Sequence, residues 1–171
     1  KMPSALDLRI DAAFQAITAA GGPIQIGSIE RHGQTLPYIA NAPDNIVDYI
    51  AFFCGQHGAA TFLVEGDERL SFADVYAASR KVAQALVAEH GVKKGDRVGL
   101  AMRNANAWCI SYVGILMAGG CATLLNGWWQ GGELAAAIDD TEVSLVIADS
   151  PRAARLAEVG HQVPVIALDI N

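Results

Sequence analysis

The segment GDRVGLAMRNANAWCISYVGILMAGGCATLLN occupies residues 95–126. Within it, Val98 to Met102 is an apolar run with the length of a buried strand. Asn104 stands where a helix cap is expected. Ala105 to Ala118 is apolar almost all round, interrupted mainly by Asn106 and Ser111. Gly119 and Gly120 stop that helix, and Cys121 to Leu125 is a second apolar run ending on Asn126. A strand, a buried helix and a strand with no room for a hairpin make a βαβ crossover. Such a unit belongs to a parallel sheet covered on both faces.

Downstream, Gly127-Trp128-Trp129-Gln130-Gly131-Gly132 reads as a loop and Glu133 to Asp139 as a short helix. Ser144 to Ala148 reads as a strand. Asp149-Ser150-Pro151 opens another helix, with proline near the first helical position, and that helix ends at Gly160. Val163 to Leu168 reads as a last strand. From Val98 onward the order is therefore β-α-β-α-β-α-β. That alternation predicts an α/β fold: a doubly wound, mainly parallel sheet with right-handed crossovers and flanking helices.

Upstream, Ser71 and Asp74 have capping-box spacing. Phe72, Val75, Tyr76, Val82, Ala83, Leu86 and Val87 form one stripe of a helix that closes at His90-Gly91. Thr61 to Glu65 and Glu68 to Ser71 flank a Gly66-Asp67 turn, whose leading glycine suits a type II′ hairpin. Ile46, Val47, Ile50 and Phe53 mark a helix ending at His57-Gly58. Ser4 and Asp7 repeat the capping-box spacing ahead of Leu6, Ile10, Ala13, Phe14 and Ile17. Two strands follow, Ile24 to Ser28 and Leu36 to Ala40, around a turn at Arg31-His32-Gly33, with Pro37 confining the second to an edge. Lys1 and Met2 read as residues ahead of a natural start. The break at Asn41 to Asn45 sets the expected organisation: residues 1–43 as a helix-and-hairpin extension and residues 44–171 as the α/β body.

The chain has 171 residues, of which 52% are hydrophobic and 18% charged, a composition that supports one real core. Net charge is −6 without any Lys/Arg-rich run, so nucleic acid and anionic membranes are excluded as expected partners. Cys54, Cys109 and Cys121 all lie in apolar surroundings with no CxxC, the pattern of buried free thiols in a reduced cytoplasmic protein. No apolar signal region is visible. The helix at 105–118 is too short for a bilayer, which takes about 20 apolar residues.

No phosphate loop of the GxGxxG or GxxxxGK[ST] type occurs, and no GxSxG elbow. Gly119-Gly120 follows a helix, the wrong end for a phosphate cradle. His32, His57, His90 and His161 fall in four separate turns or helix ends, so no metal site is expected. Asp139-Asp140 reads as a solvated turn, since adjacent helical residues do not face one another. Trp128 and Trp129 are the least ordinary feature: two large aromatics in a glycine-rich loop after a strand, placed to line a ligand tunnel or a partner surface.

These pieces, in this order, resemble the N-terminal part of AMP-forming acyl-CoA synthetases, the adenylate-forming superfamily. Arg69-Leu70-Ser71-Phe72-Ala73-Asp74 is similar to the first core motif of that family. Gly95-Asp96-Arg97-Val98 followed by Asn104 is similar to its GDRV…N segment. Ala118-Gly119 through Leu125-Asn126, then Glu133-Leu134, is similar to its second core motif. The run Leu125 to Trp129 with Glu133-Leu134 looks most like the branch acting on medium or long fatty acyl chains. Leu124, Gly132 and Arg103 stand where many members have proline.

The resemblance implies activation of a carboxylic acid, expected to be a fatty acid, with ATP to an acyl-adenylate, Mg²⁺ helping to neutralise phosphate charge, then transfer of the acyl group to CoA. ATP, Mg²⁺ and CoA are cofactors of the whole enzyme, and the residues that bind them in the family lie beyond its second core motif. No catalytic or cofactor-binding residue therefore carries over to a position in this chain, and the chain alone is expected to be inactive. Trp128 and Trp129 are the expected substrate-tunnel residues. A sheet made to pack on a further half would expose apolar surface and could pair two copies as a homodimer. The alternative is a stand-alone, non-catalytic α/β module that binds a nucleotide, CoA or a protein partner. A flavodoxin-like redox domain is a third, with no phosphate loop to support it.

Overall fold

The computed structural model describes residues 2–170; Lys1, read above as part of an added start, lies outside them. The chain divides into two compact units, one ending at Asn45 and the other beginning at Ile46.

The first unit holds α1 (Ala5–Thr18), β1 (Ile26–Arg31) and β2 (Gln34–Ile39). The expected capping box is complete: Ser4 Oγ accepts from the Asp7 N–H at 3.2 Å, and Asp7 accepts from the Ser4 N–H at 2.7 Å. These bonds, the backbone one first, hold the Asp7 carboxyl below its ordinary 3.8. His32 and Gly33 close the hairpin with φ of +52° and +76°. Two left-handed residues are what a type I′ loop requires. The ladder runs Ile26 to Arg31 against Gln34 to Ile39, shifted towards the turn from the sequence expectation so that Arg31 lies in the strand, and Pro37 sits opposite Ser28 in a ribbon where both strands are edges. Asn41 closes the unit, accepting from the Gln25 N–H and donating to the Pro23 carbonyl, each at 2.9 Å.

The second unit runs α2 (Ile46–His57), β3 (Thr61–Glu65), β4 (Glu68–Ser71), α3 (Phe72–Ala88), β5 (Arg97–Ala101), α4 (Asn106–Met117), β6 (Cys121–Leu124), α5 (Gly131–Asp140), β7 (Leu145–Asp149), α6 (Ser150–Glu158) and β8 (Val165–Leu168). β3 and β4 form an antiparallel hairpin, while β6, β5, β7 and β8, in that spatial order, form one parallel sheet. The doubly wound α/β expectation holds.

Strand alternation builds two apolar layers. Val98, Leu100, Leu145 and Ile147 point to one face, where Leu86 of α3 and Ile115 of α4 cover them. Ala101, Val146 and Ala148 point to the other, covered by Leu134 and Ile138 of α5 and Leu156 of α6. The chain steps from β5 to β6 on one side, then returns to place β7 on the other side of β5. The boundary between β5 and β7 is therefore the switch point of the sheet, where ligands bind in folds of this class.

Several local expectations need correction. Asn104 does not cap α4; the cap is Ala105, with no side-chain bond, and helix begins at Asn106. On α3, Val87 is half exposed, whereas Ser79 is fully buried in the helical face. The packing surface is rotated towards α4, which presents the small Gly114 there: a Cβ on that glycine would stand 3.1 Å from the Ser79 carbonyl oxygen. Only Cys54 is buried; Cys109 is partly covered and Cys121 is exposed at the head of the edge strand β6. The Asp139 half of the acidic pair is not merely solvated, since it lies 3.2 Å from His161 Nε2.

Candidate functional site

The carboxyl ends of β5, β6 and β7 meet at the switch point. Asp149, the last residue of β7, is 3% exposed and caps α6 by accepting from the Arg152 N–H at 3.0 Å. Its other oxygen accepts from the Arg103 N–H and from the Arg152 guanidinium, both at 3.0 Å. Arg152 is itself 4% exposed. A buried ion pair is tolerable only when its remaining donors are used. Arg152 Nε meets that need by donating to the Gly127 carbonyl at 2.6 Å. One turn along, Arg155 donates to the Trp129 carbonyl at 2.7 Å and to the Gly127 carbonyl at 3.4 Å.

The loop after β6 is thus held from behind by α6, and its front wall bounds a cleft of about 390 Å³. Arg103, Asn104, Trp108, Asn126, Trp128 and Trp129 line it. All 3 tryptophans of the chain face this one space. Trp128 is 72% exposed, and the Arg103 guanidinium lies 4.9 Å above its ring centroid. The Trp128 backbone N–H donates to Asn126 Oδ1 at 2.9 Å, an Asx-type turn. Trp129 instead packs on the layer under α5 and α6. Trp108 stacks on Tyr112, one turn further along α4, with centroids 5.5 Å apart.

A second cleft of about 440 Å³ lies on the far side of Trp108, lined by Leu63, Glu65, Asn106 and Cys109 among others. Here Glu65 accepts from the Asn106 N–H at 2.7 Å and Glu68 accepts from Asn106 Nδ2 at 2.6 Å. Burial first, and the Glu65 carboxylate second, push the Cys109 thiol above its ordinary value of 9.0. That lowers its thiolate fraction and argues against a nucleophilic role.

The two tryptophans singled out by sequence therefore reach the same cleft with different jobs, one an exposed platform and the other an anchor. Arg103, Asp149, Arg152 and Arg155 were not foreseen as site residues. Asp149-Ser150-Pro151 reads in the sequence only as a helix start; the three-residue spacing to Arg152 is the signal that could have found the pair. Their long-range acceptors, the Gly127 and Trp129 carbonyls, have no sequence signal. His32, His57, His90 and His161 are not brought together, and no cluster of three or more His, Cys, Asp or Glu converges among the described residues. Both oxygens of Asp149 are engaged. The donor set of the cleft therefore does not fit a Mg²⁺-bound nucleotide. What the arrangement offers is an aromatic wall of fixed position with one cation, Arg103, over it. No helix among the described residues is long and apolar enough to cross a membrane.

Residues 51–170 match the family model described as AMP-binding enzyme. A medium/long-chain-fatty-acid–CoA ligase of Mycobacterium tuberculosis is 30% identical over 115 residues, 67% of this chain and 19% of its own length. A long-chain-fatty-acid–CoA ligase of Bacillus subtilis is 35% identical over 80 residues, covering 47% of this chain and 14% of its own. Among solved structures, a Mycobacterium tuberculosis fatty acyl CoA synthetase superposes with a TM-score of 0.67 at 25% identity, over 73% of this chain and 26% of that one. The chain spans about one fifth of the length of the mycobacterial fatty-acid–CoA ligases it matches.

Proposed function

Since the chain belongs to the AMP-binding enzyme family, we propose that it is the N-terminal part of an acyl-CoA ligase. The whole enzyme would join a carboxylic acid to CoA through an acyl-adenylate, using ATP and Mg²⁺. The similarity to fatty-acid–CoA ligases favours a fatty acid as the substrate. The observation that carries the reading is the tryptophan-lined cleft at the switch point of a parallel sheet, the place where this fold class takes its ligands. Within the whole enzyme this segment is scaffold, and Trp128 and Trp129 form a wall against which an apolar acyl substrate packs. The organisation proposed is an extension over residues 1–43 and an α/β body over 44–171. Its three free cysteines support a reducing, cytoplasmic setting. Exposed Leu124 on the edge strand supports packing against further protein, a second copy included.

The test is a pair of assays. The 171-residue chain alone is expected to give no ATP- and carboxylate-dependent pyrophosphate exchange. The protein expressed from the complete reading frame around it is expected to release AMP only when ATP, CoA and a fatty acid are all present. Absence of AMP release across short, medium and long acids would overturn the ligase reading.

A further inference from the structure

We propose that α6 is the positioning element of the tryptophan cleft: Arg152 and Arg155 clamp the loop after β6 by its backbone carbonyls. The loop from Asn126 to Gln130 lies outside every strand and helix; Asn126 takes the Trp128 and Trp129 N–H groups within it, while the Gly127 and Trp129 carbonyls find donors on α6. The two arginines sit three positions apart on one helical face. Arg152 takes the Gly127 carbonyl at 2.6 Å and Arg155 takes the Trp129 carbonyl at 2.7 Å. Charged donors make the stronger class of hydrogen bond. Two of them on one short loop fix its path more firmly than neutral turn bonds would.

The clamp is indexed to the sheet. Asp149 ends β7, caps α6 and holds the Arg152 guanidinium, all with one buried carboxylate. The same carboxylate accepts the N–H of Arg103, whose guanidinium covers Trp128. Platform and cover therefore both hang from one buried pair. Gly127 adds a steric limit: a Cβ there would stand 2.9 Å from the Met102 carbonyl oxygen, so the loop lies tight against the end of β5. The Nε bond satisfies a donor that any buried pair must satisfy. The second arginine one turn on, which the pair does not need, is what a positioning role adds. Its value to the cleft rests on the ligand-wall reading above, but its test needs neither substrate nor activity, so the two can fail separately.

The experiment uses the full chain with Trp108→Phe and Trp128→Phe, leaving Trp129 as the sole indole emitter, and reads acrylamide quenching with far-UV circular dichroism alongside. Arg152→Lys keeps a cation for Asp149 but cannot reach both Asp149 and the Gly127 carbonyl. It is expected to raise the quenching constant about two-fold, with a red-shifted emission and unchanged helical signal, as local release of a loop does. Arg155→Gln, at a half-buried position, is expected to do the same without touching the buried pair. Parental quenching in folded Arg152→Lys would overturn the proposal. If Arg152→Lys fails to fold, Arg155→Gln decides the same question: increased quenching supports the clamp and parental quenching overturns it.

Discussion

Glu65 and Asn106 are 41 positions apart, yet the Glu65 carboxylate accepts the first free N–H of α4 at 2.7 Å. The helix is capped from a neighbouring hairpin rather than from its own flanking residues. Glu68 on the same hairpin takes the Asn106 side chain, so β3 and β4 are pinned to the amino end of α4. The positive end of a helix dipole favours such a carboxylate.

Replacing this acceptor separates its two effects. Glu65→Ala is expected to cost about 1 kcal/mol, the usual worth of an N-cap, read from the urea midpoint. Glu65→Gln keeps an acceptor but removes the charge that helps raise the Cys109 thiol. It is expected to hold stability near the parental value and to speed iodoacetamide alkylation of Cys109 below pH 9. An unchanged alkylation rate would detach Glu65 from that thiol.

The capping box of α3 gives an acid limb. Asp74 is held below its ordinary 3.8, first by the Ser71 hydroxyl and then by the Ser71 N–H. A lowered folded-state value means the contribution is present above the unfolded value and is lost as pH falls through the folded one. Helicity and the midpoint are therefore expected to decline below about pH 4, and Asp74→Asn is expected to lower the plateau and flatten that part of the profile. A parental acid limb in Asp74→Asn would assign it to other carboxylates.

Contact between α3 and α4 depends on Gly114. A Cβ there would stand 2.6 Å from Val82 Cγ1 and 3.1 Å from the Ser79 carbonyl oxygen. Gly114→Ala is expected to push the helices apart and cost about 1–3 kcal/mol, as overpacked cores do. Alanine is the better helix former, so a gain in stability at this position would contradict the close approach.

Ser79 tests the same interface in the opposite direction. Its hydroxyl is fully buried and has no hydrogen-bond partner among the described residues. Burying an unpaired hydroxyl is unfavourable. Ser79→Ala is expected to leave stability unchanged or raise it by up to about 1 kcal/mol, and thermal unfolding reads the difference. A clear loss would mean that the hydroxyl is bonded in solution.

The architecture was legible wherever the signal was local. The run from Val98 to Leu125 reads as strand, helix and strand because two short apolar runs flank a longer one that Gly119-Gly120 stops, and Ser71-Asp74 announces a helix by a bond between near neighbours. Trp128 and Trp129 could be marked as unusual, and both reach the cleft. The rest was hidden for a common reason. Asn104 loses the cap to a carboxylate from another hairpin, and Val87 loses its place in the core to Ser79 because Gly114 lets α4 come close. Arg152 and Arg155 look like the polar face of an ordinary helix until the carbonyls of a distant loop are placed against them.

The spatial order β6-β5-β7-β8 has a bearing on how the body is assembled during synthesis. β5 leaves the ribosome first, and β6, the next strand made, pairs on one flank of it. β7 then takes the other flank, and β8 pairs beyond β7. Each newly made strand joins a free border of what already exists, and none has to be threaded between two neighbours. A nascent chain can therefore accrete this sheet in the order of translation, with few long closures awaiting later residues. The same growth rule leaves β6 and β8 as the open borders of the finished four-stranded sheet, so it is ready to be extended by whatever protein meets it next.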